Sequence, residues 1–168
     1  ISHEIRTPMN AIIGYSGILN DPGISRQKVD SYVEIITKSG YQLLSIIDDI
    51  VKIATIEAGQ VKINKDCFNL NSVLKLQYSQ FSDKAREKSI NFSYVTGLPD
   101  HDSEIISDKI KIEEILNNLI GNALKFTSKG SIEFGYQIKG GIIEFFVADT
   151  GIGIADSIHK EIFERFRQ

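Results

Sequence analysis

Three stretches of the 168-residue sequence carry side chains suited to chemistry, and the first is "SHEIRTPMN", residues Ser2 to Asn10. At about 100° per residue His3 lies roughly opposite the apolar face of Ile1, Ile5, Ile12, Ser16 and Leu19, with Thr7 one turn on and Asn10 alongside. A buried core histidine fits that placement poorly. A zinc site fits it less, because "HEIRT" lacks the second histidine of H-E-x-x-H and neither His101 nor His159 pairs with His3 in sequence. What is left is an exposed imidazole, neutral near pH 7 and nucleophilic. Glu4 can orient the ring or take its proton. Pro8 removes an N–H from the helical ladder and should bend the helix, loosening the turn that carries His3.

The second stretch is the helix "DKIKIEEILNNLIGNALKF", Asp108 to Phe126. Its periodicity predicts a buried stripe of Ile112, Ile115, Leu119, Ala123 and Phe126. Glu114, Asn118, Asn122 and Lys125 share another face, which on spacing alone could equally be a solvated surface. Three asparagines inside a helix (Asn117, Asn118, Asn122) nevertheless run against local propensity, and such conflicts tend to mark function. Asparagine oxygens are hard, neutral ligands suited to Mg²⁺, leaving the ion's charge for phosphate oxygens. Lys125 on the same face could contact those phosphates.

The third stretch is "FFVADTGIGIA". An apolar strand delivers Asp149 at its end, and Gly151 and Gly153 let the backbone approach a ligand closely. The dinucleotide fingerprint does not fit, since its third glycine would fall on Asp156, and no G-x-x-x-x-G-K-[ST] loop occurs. A lone D-x-G-x-G is a weak signal. A carboxylate fixed at a strand end would suit the exocyclic amino group of adenine.

The elements that must hold these residues divide into two sets. Two apolar-periodic helices come first, separated by the turn "NDPGIS" with Ser25 as a plausible N-cap. In the second helix, Arg26 to Glu57, Ile36, Leu43 and Ile50 recur every seven residues, interleaved with Gly40, Ile47 and Ala54. Tyr32, Leu44, Ile46, Val51 and Ile53 widen that stripe beyond what one hairpin buries, which predicts a homodimer with a four-helix bundle. After "EAGQ" the period changes. "VKINKDCFNL" reads as strand and loop, Asn69 or Asn71 as the cap of a helix reaching about Lys88, and "INFSYV" and "EIIS" as strands. "SIEFGYQI" and "GIIEFFVAD" form a hairpin around "KGG", and a short helix follows from Ala155 to about Arg165. With no βαβ alternation expected, the second unit reads as an α+β sandwich.

Composition narrows the function classes. A formal net charge of −3 offers no basic field for nucleic acid or anionic lipid. The single cysteine, Cys67, fits a reducing compartment. No apolar run reaches the roughly 18–20 residues of a membrane span, so direct membrane contact by this segment is not expected. Both ends read as cut.

Taken in order, these segments resemble a sensor histidine kinase of two-component systems, ordinary or hybrid. "SHEIRTPMNAIIGYSGIL" resembles the H box, "ILNNLIGNALKFTSKG" the N box, "DTGIGI" the G1 box and "IFERFRQ" the F box. The resemblance implies that residues 1–60 are a dimerisation and histidine-phosphotransfer helical hairpin. Residues 61–168 would then begin a Bergerat-type α+β sandwich that binds ATP and stops before the ATP lid and the second glycine box. It implies further that His3 is the phosphoacceptor, Glu4 its acidic assistant and Thr7 a position supporting dephosphorylation of the partner. Asn118 and Asn122 match the N-box asparagines, Asn122 being the better match to the Mg²⁺ ligand. Lys125 matches a phosphate-contacting lysine, Asp149 the adenine-reading aspartate, and Gly151 and Gly153 the loop around it. Phe163 and Phe166 match F-box aromatics, though plain core packing explains them equally well. Lys111 stands where the family usually has arginine. The implied activity is autophosphorylation of His3 followed by transfer to a receiver aspartate of a response regulator, with this segment itself expected to be impaired in binding ATP productively for want of the lid. The implied place is the cytoplasm, including the cytoplasmic part of a membrane-bound sensor. The alternative is a catalytically inactive dimerisation and docking module.

Overall fold

A computed structural model describes residues 2–19, 21 and 23–155. The chain divides into two compact units, Ile1–Lys62 and Ile63–Gln168.

The first unit is a helical hairpin of α1 (Ser2–Ile18) and α2 (Arg26–Glu57). α1 runs on through Pro8, whose ring is buried. Tyr15 and Tyr32 pack across the hairpin at 4.9 Å between ring centroids. Ser25 sits at the start of α2 in extended conformation, but its hydroxyl makes no capping bond. Its carbonyl instead accepts from the amides of Lys28 and Val29. The hairpin leaves much of its apolar surface bare: Met9, Ile13, Val33, Tyr41, Leu44, Ile47, Val51 and Ile56 are all exposed. So broad an uncovered apolar face is characteristic of a surface that pairs with another.

The second unit contains β1 (Asp66–Asn69), α3 (Leu70–Glu87), β2 (Ile90–Val95), β3 (Glu104–Ser107), α4 (Lys109–Phe126), β4 (Gly130–Lys139) and β5 (Ile142–Asp149). A three-stranded sheet runs in the order β2-β4-β5, while β1 and β3 form a separate antiparallel pair. β4 and β5 are antiparallel, with Ile132 opposite Asp149. β2 and β4 are parallel, Ile90 opposite Gly130, and the connection between them contains α4. This crossover departs from the expectation of no βαβ alternation. The reason is that β2 finds its partner 40 residues away rather than in a neighbouring hairpin.

Alternation along the strands puts Phe92, Ile132, Phe134 and Tyr136 on the inner face, against Leu70, Val73, Leu74 and Phe81 of α3 and Leu116, Ile120 and Leu124 of α4. Capping fixes the helix starts. Asn69 Oδ1 accepts from the amide of Ser72 at 2.9 Å, and Asp108 Oδ1 from that of Lys111 at 3.0 Å. Asn71, the other cap candidate, is buried, donates to the Leu98 carbonyl and the Asp100 carboxylate, and accepts from the hydroxyl of Tyr136.

The predicted buried stripe of α4 needs correction. Leu116, Ile120, Ala123 and Leu124 face the core, while Ile115, Leu119 and Phe126 are exposed. Two apolar strips about a quarter-turn apart run along this helix, and the sheet and α3 cover only one. The predicted helix from Ala155 lies largely outside the described residues, as do Phe163 and Phe166.

Candidate functional site

On α1, His3 and Thr7 are exposed and Glu4 is half-buried. Thr7 Oγ1 donates to the carbonyl of His3 at 3.1 Å, one turn back. That bond turns the threonine hydroxyl along the same helix face as the imidazole. Pro8 has no N–H to offer the carbonyl of Glu4, so the turn lacks one regular rung directly beside the histidine. The result is an accessible imidazole with an acid next to it and a hydroxyl one turn away. Among the described residues of the hairpin nothing buries the ring, which leaves it open to an incoming electrophile.

In the second unit, Asn118, Asn122 and Lys125 are all exposed on α4, at spacings of four and three that keep them on one face. Lys125 Nζ lies 5.0 Å from the ring centroid of Phe126, a cation–π contact that leaves its charge on the surface. Glu114, one turn earlier on the same face, is paired with Lys111 at 2.8 Å. That bond raises the Lys111 pKa, so the pair reads as a brace on the first half of the helix.

The end of β5 comes to the C-terminal end of this helix. Asp149 Oδ1 accepts from the amide of Gly151 at 2.8 Å and from the hydroxyl of Thr127 at 3.4 Å. The amide of Ile152 reaches the carbonyl of Phe126 at 3.4 Å. Gly151 makes this junction possible: a β-carbon there would stand 2.6 Å from the Phe126 carbonyl and 2.8 Å from Asp149 Oδ1. Gly153 has φ +67°, a conformation other residues adopt at a cost. Asp149 and Gly151 therefore meet the helix end that carries Asn122 and Lys125, and Gly153 follows two residues further along the same loop. Across the strands, Asn91, Ser93, Ser131, Glu133 and Thr150 line an open hollow of about 290 Å³ that touches Asp149. It includes none of the α4 asparagines, so it is a neighbour of this junction rather than its centre.

Two contributors escaped the sequence reading. Thr127 is fully buried at the C-cap of α4 and touches Asp149. Lys88, just past α3, donates to the Leu124 carbonyl at 2.6 Å and steadies the last turn of α4. Thr127 immediately follows "KF" in the sequence, but nothing in the spacing distinguishes it from a loop residue. Lys88 has no sequence signal.

As metal ligands, Asn118 and Asn122 offer two neutral oxygens one turn apart, and among the described residues no cluster of three histidine, cysteine or acidic side chains occurs. Such a donor set fits a cation that brings most of its ligands with it, as Mg²⁺ on phosphates does. Among the described residues, no helix is long and apolar enough to cross a membrane.

Comparison with known proteins bears on both units. Residues 1–59 match the family model of the His Kinase A (phospho-acceptor) domain. Residues 107–168 match that of the histidine kinase-, DNA gyrase B- and HSP90-like ATPases. The autoinducer 2 sensor kinase/phosphatase LuxQ of Vibrio vulnificus is 34% identical over the whole of this chain, which spans 20% of LuxQ's length. Among solved structures, histidine kinase ThkA, in complex with response regulator protein TrrA, superposes with a TM-score of 0.78 at 25% identity, over 99% of this chain and 48% of its own. Full-length ShkA in complex with AMPPNP gives 0.74 at 30% identity, over 99% and 36%.

Proposed function

Since the chain belongs to the sensor histidine kinases of two-component systems, we propose that its two units divide one phosphoryl transfer between them. The hairpin, residues 1–60, supplies the acceptor. Residues 61–168 hold ATP. The observation that carries this reading is the junction where the Asp149–Gly153 segment meets the C-terminal end of α4, with Asn122 and Lys125 on that end.

Asp149 accepts a hydrogen bond from the exocyclic amine of adenine, and Gly151 and Gly153 let the backbone of its loop approach the nucleotide closely. Lys125 pairs with phosphate oxygens. Mg²⁺, held by Asn122 and Asn118, would neutralise charge on the triphosphate. A ring nitrogen of His3 attacks the γ-phosphorus, its bond to the β–γ bridging oxygen breaks, and ADP departs. Glu4 takes the imidazole proton that this attack releases. Rate enhancement comes from positioning and charge stabilisation rather than from any covalent step on the nucleotide-binding unit. The phosphoryl group then passes from His3 to an aspartate of a response-regulator receiver domain, and Thr7 serves the reverse, hydrolytic step on that partner. ThkA was crystallised with a response regulator and ShkA with AMPPNP, which supports both assignments by kinship.

The bare apolar strip of the hairpin supports a homodimer, with two hairpins closing a four-helix bundle. The transfer takes place in the cytoplasm, as the cytoplasmic part of a membrane-bound sensor where the parent has one.

The nucleotide half is tested by equilibrium dialysis with ATP, with and without Mg²⁺. Binding strengthened by Mg²⁺ in the wild type, with that dependence lost in Asn122→Ala, is the expected result. No ATP binding by the wild type would overturn it.

A further inference from the structure

Asp149 is exposed at a strand end, so packing does not choose its rotamer. Two donors on one of its oxygens do. The amide of Gly151 lies 2.8 Å from Oδ1 and the hydroxyl of Thr127 3.4 Å from the same atom. The two donors are not equivalent. Gly151 belongs to the glycine-containing loop. Thr127 is 0% exposed, and its own amide is tied to the Ala123 carbonyl at 2.9 Å, so it moves with α4. A buried hydroxyl requires a partner, and here that partner is a carboxylate on another element.

We infer that Thr127 is a positioning residue for nucleobase selection: its hydroxyl holds Oδ1 of Asp149 against the end of α4 and leaves Oδ2 to face the base. The inference rests on the reading of Asp149 as the group that meets the purine. An ionised carboxylate only accepts hydrogen bonds. It therefore welcomes the 6-amino group of adenine and repels the 6-oxo group of hypoxanthine. That discrimination survives only while the carboxylate is kept from turning away. Without the hydroxyl, Asp149 swings on the Gly151 amide alone, and affinity for ATP and discrimination against ITP fall together.

The test is calorimetric titration of the Mg²⁺ complexes of ATP and ITP into the wild type, Thr127→Val, Thr127→Ser, Asp149→Asn and the Thr127→Val/Asp149→Asn double variant. Thr127→Val is expected to weaken ATP about three- to tenfold and to shrink the ITP-to-ATP ratio of dissociation constants by a similar factor. Thr127→Ser should restore both. In the Asp149→Asn background, Thr127→Val should cost nothing further, because it acts through the carboxylate. If Asp149→Asn collapses the ratio while Thr127→Val leaves it intact, the inference fails and the reading of Asp149 stands. If Asp149→Asn leaves the ratio unchanged, the reading of Asp149 fails and takes the inference with it. Thr127→Ala carries the same comparison should circular dichroism show the valine variant unfolded.

Discussion

Gly151 sits so close to Phe126 that a β-carbon on it would stand 2.6 Å from the Phe126 carbonyl oxygen. This contact joins the loop after β5 to the end of α4, and a side chain cannot be fitted there without parting the two. Gly151→Ala should lower the unfolding free energy by about 1–3 kcal/mol, the usual range for overpacking, and weaken ATP binding as Asp149 shifts. Gly121, inside α4, is the contrasting case: a β-carbon on it would meet nothing within 4 Å. Gly121→Ala should therefore stabilise by about 0.5–1 kcal/mol. Urea unfolding of the two variants separates a glycine needed for close approach from one that is not.

Asp108 gives a pH signature. The amides of Asn64 and, second, Lys111 hold its carboxylate below the usual range. A depressed carboxylate contributes stability above its unfolded pKa of about 3.9, and that contribution is lost as pH falls through the lower folded value. The urea midpoint of the wild type should fall as pH drops below about 4. In Asp108→Asn the midpoint should start lower at pH 7 and show a shallower acid slope.

Leu44 and Val51 lie exposed on α2. Leu44→Glu or Val51→Glu places charge in the predicted dimer interface, where it is buried unpaired. Sedimentation equilibrium should show a dimer for the wild type and monomer for either variant. A wild type that is monomeric at all concentrations would refute the four-helix bundle.

Thr7 donates to the backbone of His3 from an exposed site, so its removal costs the helix little. Thr7→Ala should phosphorylate itself within about twofold of wild type and yet lose about a hundredfold or more in dephosphorylating a phosphorylated receiver, a loss on the scale of one general acid–base group. Equal losses in both assays would mean that Thr7 supports the histidine rather than the reverse reaction.

Much of this is legible from sequence, and for specific reasons. The starts of α3 and α4 are marked by Asn69 and Asp108, whose side chains close the first turn through local bonds. The hairpin of β4 and β5 is marked by Gly140 and Gly141, both in left-handed conformation. What periodicity leaves open is which of two adjacent apolar strips a helix buries, since Ile115 and Leu119 are as apolar as Leu116 and Ile120. The parallel pairing of β2 with β4 is non-local and has no local marker. Thr127 is unmarked for the same reason, because its role depends on Asp149, 22 residues later.

Incubation with γ-labelled ATP and Mg²⁺ shows whether His3 receives the phosphoryl group. Acid-labile, base-stable label is expected on the wild type, alone or with a second histidine kinase catalytic domain added in trans, and none on His3→Gln. Equal label on His3→Gln, or no label on the wild type even with that added domain, would contradict it.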